Sequence, residues 1–271
     1  MAELPLRHAI ALGLLHGPTE LLPVSSSGHS TVIPWLARWP AAELEPELRK
    51  SFEVALHAGS AAALAILMRG EIRRTLRDLD QRGAALIALS FTAPVIVGVT
   101  LERPIEQRWS GPGTIAVGLV LGGLAMAIAD TRGAGSRALE DAGALDGLLL
   151  GLAQSSALLP GVSRNGATLA AARARGFGRE DAATLSWRVA LPVILGATAL
   201  KGHRLAQRCV PAEIRGPLVV GAAGAFFSTL ACAPLIREGR RGRSLRPFVL
   251  YRGALALAVL RRRRAAHNGG A

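Results

Sequence analysis

The chain has 271 residues and a formal net charge of +13, from 32 Lys and Arg against 19 Asp and Glu, yet half of its residues are hydrophobic and only 4% are aromatic. The charges fall in short runs between apolar stretches of roughly 17–22 residues, about the length that crosses a bilayer core, which excludes a soluble globular domain and reads as a polytopic membrane protein. The arginines stand at the ends of apolar spans, where they anchor to headgroups and set topology; no aromatic-basic surface accompanies them, so the basic balance does not indicate nucleic acid.

The first segment, about residues 4–37, is too polar for a simple span. It reads Gly13-Leu-Leu-His16-Gly-Pro-Thr-Glu20-Leu-Leu-Pro23-Val-Ser25-Ser26-Ser27-Gly28-His29. Pro23 and the small residues Ser25 to Gly28 oppose one continuous helix, so a helix is expected to about Leu22, then a break, then a restart after the serines. Such a re-entrant pair is tolerated only where protein or a water-filled cavity covers its backbone. A charged loop, Arg38 to Lys50, leads to three expected spans at about Phe52–Met68, Ala84–Leu101 and Thr114–Ala129. In the third, the spacing of Gly118 and Gly122 suits close helix contact. The polar stretch Asp130 to Asp146 is a natural boundary. Beyond it, Gly147 to Ala174 is again broken, at Leu159-Pro160-Gly161, and spans follow at about Asp181–Leu200, Pro217–Ile236 and Pro247–Leu260, before Arg261 to Arg264 and a polar tail. Cys209 and Cys232 supply neither a disulfide framework nor a metal spacing. The N-terminus lacks a cleavable signal pattern.

The two halves repeat. Gly13, His16, Leu21-Leu22-Pro23 and Gly28 parallel Gly151, Gln154, Leu158-Leu159-Pro160 and Gly166, and His16 stands as far from Gly28 as Gln154 does from Gly166. The next span opens Ser51-Phe-Glu-Val-Ala-Leu56 in one copy and Ser186-Trp-Arg-Val-Ala-Leu191 in the other. A re-entrant pair plus three spans crosses the membrane an odd number of times, which turns the second copy upside down relative to the first. The expected fold is therefore an all-α integral membrane domain over residues 1–271, with inverted-topology repeats at about 1–130 and 147–264 whose broken segments meet near the midplane. The Lys/Arg balance of the loops does not fix orientation once the terminal arginine cluster is counted.

Both breaks carry chemistry. Two half-helices meeting at a polar break offer backbone N–H groups and hydroxyls to an anion. In the second break, Pro160-Gly161-Val162-Ser163-Arg164-Asn165-Gly166-Ala167-Thr168, an arginine inside a membrane domain is costly unless it binds something. Its planar donors suit phosphate oxygens, with Ser163, Asn165 and Thr168 as neutral donors. His16 and Glu20, at i and i+4, share a helix face. Ser25 and Ser27 read as turn formers more readily than as catalysts, and His57 reads equally as a cavity-lining or a packed histidine.

Taken together, these motifs resemble the undecaprenyl-diphosphatase family, the bacitracin-resistance type of integral membrane phosphatase. The likeness rests on Gly17-Pro-Thr-Glu20 through His29, on Pro160 through Thr168, on Phe52-Glu-Val-Ala-Leu-His-Ala-Gly59, and on the span from Ser186 to Pro192. It implies hydrolysis of undecaprenyl diphosphate to undecaprenyl phosphate and inorganic phosphate, which recycles the lipid carrier for cell-wall synthesis. It also implies a multi-pass protein of the bacterial inner membrane with its site facing the periplasm, help from a divalent cation such as Mg or Ca, and allows a homodimer. In this reading Arg164, with Ser163, Asn165, Thr168, Ser25 and Ser27, holds the phosphates. Ser26 is the candidate nucleophile or, failing that, the group holding the attacked phosphate, His29 the acid, base or phosphate acceptor, and Glu20 the metal-holding or orienting carboxylate; a phospho-serine route and a directly activated water both stay open. The sequence departs from the family at His16, where Glu or Gln is usual, at Asn165, where serine is usual, and at Arg188, where an apolar residue is usual. His16 becomes a metal ligand or proton shuttle instead. The competing reading is a transporter or flippase of polyprenyl phosphate, since inverted repeats with broken helices also build carriers.

Overall fold

The computed structural model describes residues 4–131, 135–207 and 210–268; Cys209 lies outside the described residues. They form helices α1 (Leu6–Leu21), α2 (Ser26–Ala37), α3 (Pro46–Leu67), α4 (Arg69–Arg77), α5 (Gln81–Trp109), α6 (Pro112–Asp130), α7 (Ala144–Ser155), α8 (Arg164–Ala174), α9 (Arg179–Ala206), α10 (Ala212–Ala231), α11 (Ala233–Arg240) and α12 (Arg246–Asn268). The fold is all-α. Local chemistry sets several starts: Pro46 and Pro112 occupy first-turn positions where a missing N–H costs nothing, and the Asp80 carboxylate caps α5 by accepting from the Gly83 N–H at 2.7 Å.

By length and composition, α5, α6, α9 and α10 can cross a membrane, and α3 with α4 makes a fifth candidate bent by 65°. The sequence expects six plain spans, so two details change. The expected span 52–68 ends where the chain bends at Met68, ahead of the arginine-rich α4. The expected span 247–260 lies within α12, where Arg246, Arg252 and Arg261 to Arg264 interrupt or flank an apolar stretch too short to qualify. On α5 and α6 the residues Val95, Ile96, Val99, Leu121, Leu124 and Ile128 point outward, the surface expected of lipid contact.

The chain forms two interleaved units. The first comprises residues 1–21, 29–77 and 194–236. In it α10 packs along both α1 and α3, around Leu12, Phe52, Leu56, Leu218 and Ala225. Small residues let these backbones touch. A Cβ on Gly13 would lie 2.6 Å from the Gly221 carbonyl oxygen, and one on Gly59 would collide with that of Ala222. The Ser228 hydroxyl donates to the Leu14 carbonyl at 2.5 Å.

The second unit comprises residues 22–28, 78–193 and 237–271. Here α7 packs on α5 and α8, and α6 packs on α8 and α12. Its cores hold Leu86, Leu150, Phe177, Leu185 and Val189, and, separately, Met126, Ala129, Ala170 and Leu245. Gly147 and Gly151 admit the backbone of α5 at Leu86 and at Leu89 and Ser90. The connection into α7 is tied by Asp146, which accepts from Arg137 at 2.7 and 2.9 Å and from Arg175 at 2.8 Å. Asp130 at the end of α6 accepts from Arg179 at 2.9 Å, from the Ser244 hydroxyl at 2.6 Å and from the Leu245 N–H at 3.1 Å.

Close glycine contact predicts a sharp positional contrast. Gly59→Val must push α3 off α10 and should lower the thermal midpoint in detergent by about 3–8 °C, the equivalent of roughly 1–3 kcal/mol of overpacking. Gly98→Val, which meets nothing within 4 Å, should leave the midpoint unmoved.

Candidate functional site

The second unit brings the two breaks together. Ser25 takes a left-handed backbone (φ 77°), a conformation that costs a non-glycine residue about 1–2 kcal/mol. Its hydroxyl accepts from the Gly28 N–H at 3.3 Å. In the second break the left-handed turn falls on Gly161 (φ 91°), and the Ser163 hydroxyl accepts from the Gly166 N–H at 3.2 Å. Ser25 and Ser163 thus cap their helices through the same kind of hydroxyl bond, although Ser25 is left-handed and Ser163 extended. A Cβ on Gly28 would lie 3.5 Å from the Gly161 Cα, and one on Gly166 would lie 3.5 Å from the Pro23 Cβ. The opening turns of α2 and α8, each with backbone N–H groups lacking an intrahelical acceptor, therefore sit against the opposing break.

One residue outside both motifs joins them. Arg252 of α12 is fully buried. Its guanidinium donates to the Pro23 carbonyl at 3.2 Å and the Gly161 carbonyl at 2.9 Å, one in each break, and to the Gly118 and Leu119 carbonyls of α6 at 3.1 Å each. Gly118 and Gly122, expected to allow close helix contact, do so for this purpose. A Cβ on Gly118 would strike the Pro160 carbonyl, and one on Gly122 would strike the Arg252 guanidinium. The available signal was an arginine inside the apolar run Phe248 to Leu260.

Arg164 opens α8, half-buried, with Asn165 beside it. The fully buried Thr168 bonds the Ser186 hydroxyl at 2.5 Å, and Ser186 also donates to the Asn165 Oδ1 at 3.1 Å. Asn165 and Thr168, expected to donate to phosphate, tie α8 to α9 through Ser186. Ser26 and His29 stand one turn apart on α2, and His29 is buried.

His16, Glu20 and His57 cluster in the first unit. Glu20 Oε2 lies 4.0 Å from His16 Nε2 and 3.7 Å from His57 Nδ1. The two imidazoles meet edge to face, with centroids 4.6 Å apart. One ligand atom from each of the three falls within 4.8 Å of the others. His16 is 2% exposed, and neither of its ring nitrogens has a hydrogen-bond partner among the described residues. An unsatisfied buried polar group of this kind costs about 1–3 kcal/mol. At the matching place in the second half of the sequence, the Gln154 side-chain N–H group donates to the Ser90 and Val189 carbonyls at 3.2 and 3.4 Å, while its Oε1 has no hydrogen-bond partner among the described residues. His57 is the member that the sequence left undecided. The structure thus assigns His16, Glu20, His57 and His29 to the first unit, and Ser25, Ser26, Ser27, Ser163, Arg164, Asn165 and Thr168 to the second.

The family description "Bacitracin resistance protein BacA" matches residues 9–258. The chain belongs to this family. Among BacA relatives, the undecaprenyl-diphosphatase of Geobacter sulfurreducens is 41% identical over 266 residues, covering 93% of this chain and 96% of that protein. The undecaprenyl-diphosphatases of Geobacter metallireducens and Thermomicrobium roseum are each 39% identical, with the same coverage. The BacA match spans both breaks and reaches Arg252.

Replacing Arg252 tests the clamp. Arg252→Lys keeps the charge but loses the planar fork, so at least one carbonyl bond, worth about 1.5–3 kcal/mol to a charged donor, is lost and the thermal midpoint in detergent falls. Arg246→Lys, on the exposed first turn of the same helix, leaves it unchanged.

Proposed function

We propose that this chain hydrolyses undecaprenyl diphosphate to undecaprenyl phosphate and inorganic phosphate. The reading is carried by the pairing of the two breaks through Arg252, which sets a helix N-terminus bearing Ser26 beside one bearing Arg164. End-to-end similarity to proteins named undecaprenyl-diphosphatase supports the same substrate.

The roles follow from charge and donor geometry. Arg164 offers a bidentate fork to the phosphate oxygens and, with the positive ends of the α2 and α8 helix dipoles, stabilises charge that builds on them as the anhydride breaks. Ser163 and Ser25 donate their hydroxyl protons while accepting from their caps, and Ser27, Asn165 and Thr168 complete the polar lining. Ser26 attacks the terminal phosphorus, the bond to the bridging oxygen breaks, and undecaprenyl phosphate leaves. Water then releases inorganic phosphate from the serine. His29, one turn along α2, takes the serine proton and returns it to the leaving oxygen. Glu20 and His16 would hold a divalent cation, which supplies positive charge when bound.

The inverted-repeat arrangement belongs to this reading. Its support is an exchange of partners: α1, which opens the first copy, packs on α10 of the second, and α7, which opens the second, packs on α5 of the first. Gly13 and Gly151 make these approaches at matching repeat positions. The same reading puts the enzyme in the bacterial inner membrane with its site toward the periplasm.

Phosphate release from undecaprenyl diphosphate by the purified protein in detergent tests the reading. The wild type should turn over, and Arg164→Ala should lose about 10²–10³-fold, as for removal of one charge-stabilising donor. A wild type that binds the lipid but releases no phosphate would overturn it.

A further inference from the structure

The cluster of His16, Glu20 and His57 is set apart from the phosphate-binding break by its chemistry. Its donors are two imidazoles and one carboxylate, supplied by α1 and α3 of a single unit. Mg and Ca take oxygen ligands almost exclusively, six or more in number, whereas two histidines and a glutamate with further positions open is the ligand set of a catalytic zinc site. We propose that these three residues bind a borderline first-row transition-metal dication of the zinc class, in preference to Mg or Ca.

Three observations converge on this inference, which rests on the hydrolase reading only for its use of a bound dication. First, His16 is buried with both ring nitrogens lacking a hydrogen-bond partner, and its Nε2 faces the Glu20 carboxylate at 4.0 Å, too long for a hydrogen bond. Second, the separations of 3.7, 4.0 and at most 4.8 Å lie close to the spacing of about 3.3 Å between ligands at zinc bond lengths, so small rotamer shifts close the set. Third, the second repeat carries no imidazole or carboxylate at the matching positions. Gln154 is committed to two backbone carbonyls, and Leu158 and Pro192 stand where Glu20 and His57 stand in the first. Packing alone therefore does not demand a histidine at this place in the repeat. His57, more than a third exposed at its side chain, gives the ion a way in.

The test uses full-length protein in detergent, with any affinity tag removed and metal stripped by chelator, titrated with Zn²⁺ and with Co²⁺ as a spectroscopic probe. The wild type should bind one equivalent, show the intense visible absorption of low-coordinate cobalt, and keep its Zn²⁺ against a large excess of Mg²⁺ or Ca²⁺. His16→Gln and His57→Gln should each weaken binding by at least 10–100-fold, while His8→Gln, a buried histidine stacked on Trp39, should not. His16→Glu should shift preference toward Mg²⁺. Matching midpoints of the metal-free wild type and His16→Gln would show that the loss is not unfolding. Unchanged Zn²⁺ and Co²⁺ binding in both histidine variants, or ready displacement by Mg²⁺, would overturn the site even if phosphate release is intact. Tight Zn²⁺ binding without phosphate release would instead leave the site standing and defeat the hydrolase reading.

Discussion

A single guanidinium holds the polar heart of this membrane protein in place. Arg252 lies within a helix, fully buried, and is met by the Pro23, Gly118, Leu119 and Gly161 carbonyl oxygens. A cation in a membrane interior is costly, and a broken helix leaves carbonyls without N–H partners. Each of these liabilities satisfies the other. The clamp also explains small residues that otherwise look incidental. Gly122 makes room for the guanidinium, Gly118 for the Pro160 carbonyl, and Gly161 supplies the left-handed turn.

Around this clamp, two stretches of similar sequence adopt similar local geometry. Ser25 and Ser163 cap their helices in the same way, and Gly13 and Gly151 bring their helices equally close to a partner. The chemistry then diverges. The first copy carries Ser26 and His29 on α2 with His16 and Glu20 on α1, whereas the second carries Arg164 at the start of α8 and a hydrogen-bonded Gln154. In the proposed function the helix start at Ser26 supplies the reactive groups and the one at Arg164 the charge.

Much of this was legible in the sequence because proline, glycine and serine act locally. Pro23 and the serines mark the first break to within a few residues, although α2 begins inside the serine run, at Ser26, because Ser25 both turns the chain and caps the helix. The second break is read equally well from Pro160 and Gly161. Less legible were features that depend on distant partners. Nothing near Arg252 in sequence reveals which carbonyls it will meet, so it reads only as an anomalous charge in an expected span. His57 needed α3 to be laid beside α1 before it could be paired with Glu20. All six expected spans fall on helical stretches, but by length and composition four helices, or five with the pair bent at Met68, can cross a membrane, because the arginines of α12 break its apolar run.

The central claim is that catalysis depends on two breaks held together, and the turnover of Arg252→Lys measures this most directly. Assayed well below its own melting temperature, the folded variant should release phosphate from undecaprenyl diphosphate about 10–100-fold more slowly than the wild type, because misplacing catalytic groups by about 1 Å is enough to cost that much. A folded Arg252→Lys protein with wild-type turnover would contradict the account, since the breaks would then need no clamp to form a working site.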